Sequence, residues 1–176
     1  MKPLFIIGYM ASGKTTFGRA LSRELQKQFI DLDFYIEQRY RKSIPRIFEE
    51  RGEAGFRTIE AEMLREVGEF EDVIVSCGGG TPCFHDNMDY MLSRGDTMWL
   101  EATPERIAER VLANPGKRPL LNGKSADELA QAIAEGLESR LPHYSRAKIH
   151  WSGQNLDDLR QIADNVKEFI SQWKSE

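Results

Sequence analysis

Cysteine is nearly absent from this chain, since only Cys77 and Cys83 occur among its 176 residues. Their spacing matches neither a zinc knuckle nor a redox CxxC pair, which disfavours a disulfide scaffold and favours a reducing compartment. Apolar runs of bilayer length are lacking too, and Met1–Pro3 leads into the first apolar segment without a signal peptide. A cytoplasmic protein is therefore expected.

An excess of charge of either sign is also missing. The chain has 24 Lys and Arg against 28 Asp and Glu, and its net charge is only −4. This balance argues against nucleic acid or a membrane surface as a partner, so basic residues with a function should act locally. The length suits one domain spanning residues 1–176, with a monomer as the default expectation.

What the chain does have is a regular alternation of strand-like and helical segments. Such alternation is typical of proteins in which helices cover both faces of a parallel sheet. The predicted fold class is therefore α/β, with a five-stranded parallel sheet flanked by helices. The predicted strands are Leu4–Ile7, Phe29–Asp33, Val73–Cys77, Thr97–Leu100 and Lys148–Trp151.

Apolar residues at helical spacing predict amphipathic helices between these strands. One helix carries the stripe from Phe56 to Val67. Another opens at Ser125 with a capping box and is followed by Pro142. The last helix carries an apolar stripe that should pack on the sheet rather than hold a ligand. The stripe consists of Leu156, Leu159, Ile162, Ala163, Val166, Phe169, Ile170 and Trp173.

Two segments interrupt the alternation. Residues 34–72 are longer than one crossover helix requires, which predicts an insertion between the second and third strands. Residues 114–123 are rich in turn residues and include Lys117 and Arg118, which predicts a mobile loop. Its cations suit a lid that closes over a triphosphate, although solvated loop charges are the alternative.

The run Gly8–Thr15 fills every fixed position of a phosphate-binding loop and stands between a strand and a helix. Its backbone N–H groups and the following helix N-terminus favour phosphate oxygens. Lys14 should reach the outer phosphates, and the Thr15 hydroxyl should take a place in a magnesium shell. The alternative is a plain glycine turn. A nucleoside triphosphate is therefore the predicted ligand.

Asp31 and Asp33 end the second predicted strand, where residues two apart project from one face. Ligand crevices of open parallel sheets lie at the carboxyl ends of the strands. One carboxylate can therefore serve a metal ion while the other accepts a hydrogen bond or proton from substrate. Two solvated strand-end acids are the alternative. Asp72 stands at the wrong end of the third strand, so Asp31 is the metal candidate.

Further candidates follow the third strand and lie within the helices. Gly78–Gly80 allow close backbone approach and free N–H groups for a small ligand, with a flexible turn as the alternative. Arg57 and Glu60 share one helix face, so the carboxylate can hold the guanidinium, unless the pair is only a surface ion pair. Arg140, with Tyr144 one turn later, could bind a carboxylate or simply be exposed.

Taken in order, these features resemble the shikimate kinase family, which phosphorylates the 3-hydroxyl of shikimate with ATP. The resemblance covers nearly the whole chain and implies a P-loop fold of the nucleoside monophosphate kinase type. Its substrate-binding insertion would span about 33–61, and its mobile lid about 112–124. The matching features are Gly8–Thr16, Asp31–Asp33, Gly52–Glu53, Phe56–Arg57, Glu60, Gly78–Gly80, Arg118–Leu121, Arg140 and Tyr144.

The resemblance also implies roles for individual residues. Asp33 would contact the substrate hydroxyls as the candidate general base, Thr15 and Asp31 would serve Mg²⁺, and Glu60 would orient Arg57. Arg118 would touch the transferred phosphate with help from Arg110. The implied catalytic residues are Lys14, Asp33 and Arg118. The implied ATP-binding residues are Ala11, Ser12, Gly13, Lys14, Thr15, Thr16, Arg110, Arg118 and Gln154. The implied shikimate-binding residues are Asp33, Arg57, Gly78, Gly79, Gly80 and Arg140.

Two other interpretations compete with this one. A gluconate or nucleoside monophosphate kinase shares the loop and lid plan, but the combination of Asp33, Arg57 and Arg140 suits a small hydroxylated acid better. A regulatory nucleotide switch belongs to another class and would need a guanine-reading Asn-Lys-x-Asp motif. Only Gly123–Asp127 approaches that motif, and it lacks the asparagine and the spacing.

Overall fold

The computed structural model describes residues 1–114 and 125–173. Within them a five-stranded parallel sheet has helices on both faces, as predicted. The strands are β1 (Leu4–Ile7), β2 (Gln28–Asp31), β3 (Val73–Ser76), β4 (Asp96–Glu101) and β5 (Ile149–Ser152). The helices are α1 (Lys14–Leu25), α2 (Leu32–Tyr40), α3 (Ile44–Gly68), α4 (Asn87–Arg94), α5 (Pro104–Ala113), α6 (Ala126–Tyr144) and α7 (Leu159–Trp173).

The strand order β2-β3-β1-β4-β5 places β1 at the centre of the sheet. Phe5 of β1 pairs with Val75 of β3 on one side and with Thr97 of β4 on the other. Every residue of β1 is fully buried because helices cover both faces. Successive side chains point to opposite faces, so Phe5 and Leu4 belong to different core clusters. The loop that follows β1 therefore starts from a fully buried central strand.

The predicted stripe from Phe56 to Val67 is confirmed, since these residues are buried within α3. Gly52 interrupts this long helix with φ 67° and ψ −179°, a conformation that side-chain-bearing residues avoid. The chain therefore changes direction just before the turn that carries Arg57. Ser125 and Glu128 form the predicted capping box of α6.

Three local predictions need correction. Pro142 lies inside α6 rather than after it, because Ser145 N still donates to Leu141 O at 3.0 Å and closes the last turn. Leu159 and Ala163, two members of the apolar stripe predicted to pack on the sheet, are exposed, and Leu159 is 87% exposed because the first turn of α7 lies at the surface. The second strand ends at Asp31, not at Asp33.

The early end of β2 has a local cause. Asp31 Oδ1 accepts a hydrogen bond from Phe34 N at 3.3 Å, which makes Asp31 the N-cap of α2. Leu32 is therefore the first helical residue, and Asp33 lies in the first turn of a helix instead of on a strand face.

The segment predicted as an insertion from the strand spacing, residues 34–72, contains most of α2 and the whole of α3, and the range 33–61 implied by the resemblance ends within α3. The predicted lid extends from the end of α5 into residues 115–124, so Lys117 and Arg118 lie outside the described residues. Among the helices of the described ranges, none is both long and apolar enough to cross a bilayer.

Candidate active site

The phosphate-binding loop connects β1 to α1 at the carboxyl end of the sheet. Gly8 and Gly13 have φ values of 145° and 104°, in the region that glycine tolerates best. A Cβ on Gly8 would stand 2.7 Å from Leu100 O of β4, so a residue with a side chain would clash at this position. The loop therefore curls tightly and delivers its N–H groups to the start of α1, where the helix dipole favours an anion.

Lys14 is nearly buried, with 8% of its surface exposed. Its Nζ donates to Gly8 O at 2.8 Å and to Tyr9 O at 2.7 Å. These bonds fold the side chain back over the loop. The ammonium group is therefore held beside the backbone cradle that the sequence predicts for phosphates.

Thr15 and Asp31 come together from α1 and the end of β2, and Thr15 Oγ1 donates to Asp31 Oδ2 at 2.9 Å. A hydroxyl beside a carboxylate next to a phosphate cradle fits a hard cation such as Mg²⁺ that keeps several waters. No cluster of three or more His, Cys, Asp and Glu that could hold a metal ion occurs in the described residues. These residues therefore do not form a metal site from such side chains alone. Asp72 pairs with Lys27 at the other end of β3, as its sequence position predicts.

Asp33 faces the same region from the first turn of α2. Asp33 is exposed to solvent, although many protein atoms lie near its carboxyl group. Burial is the main cause that raises the pKa of Asp33 from 3.8 to about 6, and the charges of Asp31 and Glu60 add to it. Lys14 opposes this shift. A carboxyl with a pKa near neutrality is suited to exchange a proton or accept a hydrogen bond from a hydroxyl.

These groups share one cleft of about 750 Å³. It joins the phosphate loop to Asp31, Asp33 and the start of the glycine segment, although the two carboxylates do not share a strand face. Ser12, within the loop, is fully buried and does not line the cleft. The predicted residues in the lining are Ala11, Gly13, Lys14, Thr15, Thr16, Asp31, Asp33, Gly78, Gly79 and Arg110.

The glycine segment Gly78–Gly80 lies between the carboxylates and Arg57. A Cβ on Gly78 would stand 3.1 Å from Asp33 Oδ1, and one on Gly80 would stand 2.6 Å from Arg57 Nη2. The absence of side chains therefore leaves room for both charged groups beside the backbone. The segment connects the cleft to a second cluster beyond it.

Arg57 is held on several sides. Its Nη1 donates to Glu60 at 2.7 Å, and Glu60 is only 1% exposed and accepts from Thr81 Oγ1 at 2.6 Å. The Phe84 ring lies 4.0 Å from the guanidinium carbon. Buried Arg57 Nε has no hydrogen-bond partner within residues 1–114 and 125–173. Sequence reasoning missed Thr81 and Phe84, and only the position of Thr81 directly after Gly80 could have suggested it.

Arg140 approaches from α6. Its guanidinium lies over the Tyr9 ring at 5.1 Å, and Nη1 donates to Gly136 O at 2.7 Å. Burial raises the pKa of the Cys83 thiol, while Arg140 and Arg57 both act to lower it. Both guanidinium groups are therefore near Cys83. They stand beyond the glycine segment and do not line the main cleft.

Arg110 lines the cleft on the other side of the phosphate loop, whereas Gln154, predicted to bind ATP, does not line this cleft. Arg110 Nη1 donates to Ser12 O at 3.1 Å, and its Nη2 donates to Gly153 O and Gln154 O. Arg110 thus ties the loop to the segment after β5. Asn114 and Leu156 extend the cleft in this direction, which gives an elongated ligand room beyond the phosphates.

A phosphate cradle at the carboxyl end of a 2-3-1-4-5 parallel sheet, in one cleft with Asp31 and Asp33, defines a P-loop kinase of the small-molecule type. The chain belongs to the shikimate kinase family, whose model matches residues 10–171. It is 51% identical over 166 residues to the shikimate kinase of Phocaeicola vulgatus, covering 94% of this chain and 95% of that one.

Solved structures agree with this assignment. The shikimate kinase of Bacteroides thetaiotaomicron superposes with a TM-score of 0.93 at 44% identity and covers 98% of each chain. The shikimate kinase of Acinetobacter baumannii, solved in complex with shikimate, has a TM-score of 0.85 at 28% identity, covering 99% of this chain and 94% of that one. The predicted family and fold class are confirmed.

Proposed function

We propose that this protein transfers the γ-phosphoryl group of ATP to the 3-hydroxyl of shikimate. The observation that carries the proposal is the glycine segment Gly78–Gly80, which lies so close to Asp33 at one end and to Arg57 at the other that an added Cβ would crowd both side chains. A small hydroxylated acid placed along it would have its carboxylate at the arginines and its ring hydroxyls near Asp33. Family membership supports the same substrate.

The carboxylate end is served by Arg57 and Arg140. Arg57 keeps its Nε donor without a partner in the described part of the chain, while Glu60 and Phe84 fix the plane of the guanidinium. A planar guanidinium held in this way can give two parallel hydrogen bonds to a carboxylate. Both arginines carry positive charge, so a neutral ring alone would bind poorly.

The nucleotide end is served by the phosphate loop. We assign the loop N–H groups and Lys14 to the β- and γ-phosphates, and Thr15 and Asp31 to Mg²⁺, which when bound neutralises phosphate charge. Asp33 orients the acceptor hydroxyl toward the γ-phosphorus and takes up its proton. Arg118 remains a lid candidate on sequence grounds alone. We also propose that the protein is a cytoplasmic monomer that binds neither nucleic acid nor membrane.

Turnover with different acceptors tests the proposed reaction. ADP release with Mg²⁺ and ATP should be rapid with shikimate and close to background with gluconate, with AMP, or with no acceptor. Gluconate is the informative control because it carries the same charge on a flexible chain. Turnover on gluconate or AMP but not on shikimate would replace the proposed acceptor. Equal ADP release without any acceptor would favour a nucleotide switch.

The raised pKa of Asp33 predicts the acidic side of the pH profile. Because Asp33 must be ionised to accept the hydroxyl proton, kcat/KM for shikimate should fall as the pH drops below about 6. An ordinary aspartate would keep its charge down to about 3.8. The measurement is kcat/KM for shikimate from pH 4.5 to 9 at saturating ATP. A profile that stays flat to pH 4.5 would contradict the role of Asp33.

A further inference from the structure

Tyr144 contacts the glycine segment from the end of α6. It is fully buried, and its Oη donates to Gly79 O at 2.5 Å. Its ring packs against Trp99 of β4 with the ring centres 5.7 Å apart. Sheet packing therefore holds the phenol while its hydroxyl binds one carbonyl of the segment that we assign to the acceptor.

Gly79 itself lies between Tyr144 and the phosphate loop. A Cβ at Gly79 would be 3.7 Å from Tyr144 Oη, 3.4 Å from Met10 N and 3.6 Å from Gly8 O. The backbone at this point thus lies close to both the phosphate loop and the phenol hydroxyl. Loss of the hydroxyl would leave the Gly79 carbonyl without this donor and let the segment shift.

The same helix also carries Arg140, one turn before Tyr144. Arg140 lies over the ring of Tyr9, which belongs to the phosphate loop, and Gly136 provides the space for that ring. One turn of α6 therefore reaches two parts of the acceptor site, namely the guanidinium for the carboxylate and the carbonyl of the glycine segment.

We propose that Tyr144 is a positioning residue for the acceptor: it sets the place of Gly79 relative to Arg140 and to the phosphate loop. Burial raises the pKa of Tyr144 far above its ordinary value, so the phenol remains a donor throughout the working pH range. The inference rests on the proposed function, because Gly79 matters for the acceptor only if the acceptor binds there.

The variant Tyr144→Phe tests the role of the hydroxyl, since it keeps the ring and its packing on Trp99. The KM for shikimate should rise about tenfold, which is the size expected for one lost hydrogen bond to a buried carbonyl. Because the phosphate loop keeps its own contacts, the KM for ATP should stay within about twofold. Steady-state kinetics with each substrate varied in turn give these values.

Tyr90→Phe is the matched control. Tyr90 Oη donates to Arg65 O at 3.1 Å, so this variant loses a comparable phenol–carbonyl bond far from the acceptor. It should lower the melting temperature without moving either KM. If Tyr144→Phe is too unstable at 25 °C, the same constants are measured at lower temperature on folded protein.

Several results would overturn the inference. A folded Tyr144→Phe protein with unchanged KM for shikimate would remove the positioning role. Equal changes in kcat and in both KM values would show a merely structural residue. The wild-type protein is measured alongside, so absence of shikimate turnover in it would refute the proposed function itself rather than the role of Tyr144 alone.

Discussion

Replacing Lys14 with methionine is expected to lower kcat by about a thousandfold and to weaken ATP binding. The ammonium group is nearly buried above the loop, where a charge acts on phosphate oxygens with little screening by water. Methionine has similar length and no charge, so it removes the electrostatic contribution while filling the space. The loop also loses the bonds from Nζ to Gly8 O and Tyr9 O, which hold its turn.

Lys27→Met is the control for this experiment. Lys27 forms an ion pair with Asp72 at 2.6 Å at the other end of the sheet, so its loss should leave turnover and ATP affinity unchanged. ATP affinity is measured by calorimetry, and single-turnover rates separate binding from chemistry. Normal nucleotide affinity and turnover in Lys14→Met would show that the triphosphate does not bind at this loop.

Features with strong local determinants could be predicted from the sequence. The phosphate loop depends on glycines and Lys14 at fixed spacing between a buried strand and a helix, and all of these are adjacent in the chain. The capping box at Ser125 is equally local. The approach of Thr15 to Asp31 follows a general rule, because the carboxyl ends of all strands in a parallel sheet lie at the same edge, even though β3 stands between β1 and β2.

The predictions failed where local and distant interactions compete. Asp31 could have continued β2, but its side chain caps α2, and one capping bond moves Asp33 from a strand to a helix. The two carboxylates still line one cleft because the first turn of α2 starts at the same sheet edge. Only one of these two partners of Arg57 could be predicted. Glu60 is one helical turn away, whereas Phe84 lies 27 positions later in the chain.

Opposing electrostatic effects act on Asp33 in the cleft. Lys14 stabilises the ionised form of Asp33, whereas burial and the neighbouring carboxylates destabilise it more. When the fold destabilises the ionised form of a group, that group lowers the stability of the folded protein at pH values above its pKa. Such strain is common where a residue serves catalysis instead of stability. Asp33 should therefore show opposite effects on activity and on stability when it is neutralised.

Asp33→Asn is expected to lower kcat by about a hundredfold to a thousandfold, because asparagine cannot accept the proton of the acceptor hydroxyl. ATP affinity should survive, since Lys14 and the Thr15–Asp31 pair are untouched.

The folded-state pKa of Asp33, about 6, exceeds the ordinary 3.8, so the wild-type protein binds this proton more tightly when folded. The carboxyl thus favours the fold below about 3.8 and loses that advantage as the pH rises through 6.

The neutral variant should accordingly be more resistant to thermal unfolding than the wild type at pH 8, with the difference shrinking toward pH 4. Asp89→Asn serves as the control, because Asp89 forms an exposed ion pair with Arg146 and should change neither turnover nor the pH dependence of unfolding. Melting curves at several pH values are compared with kcat measured at pH 8. If Asp33→Asn kept full turnover, the acceptor hydroxyl would need another proton acceptor. If it instead lost ATP affinity along with turnover, Asp33 would belong to the nucleotide side of the cleft, and the division into two binding regions would fail.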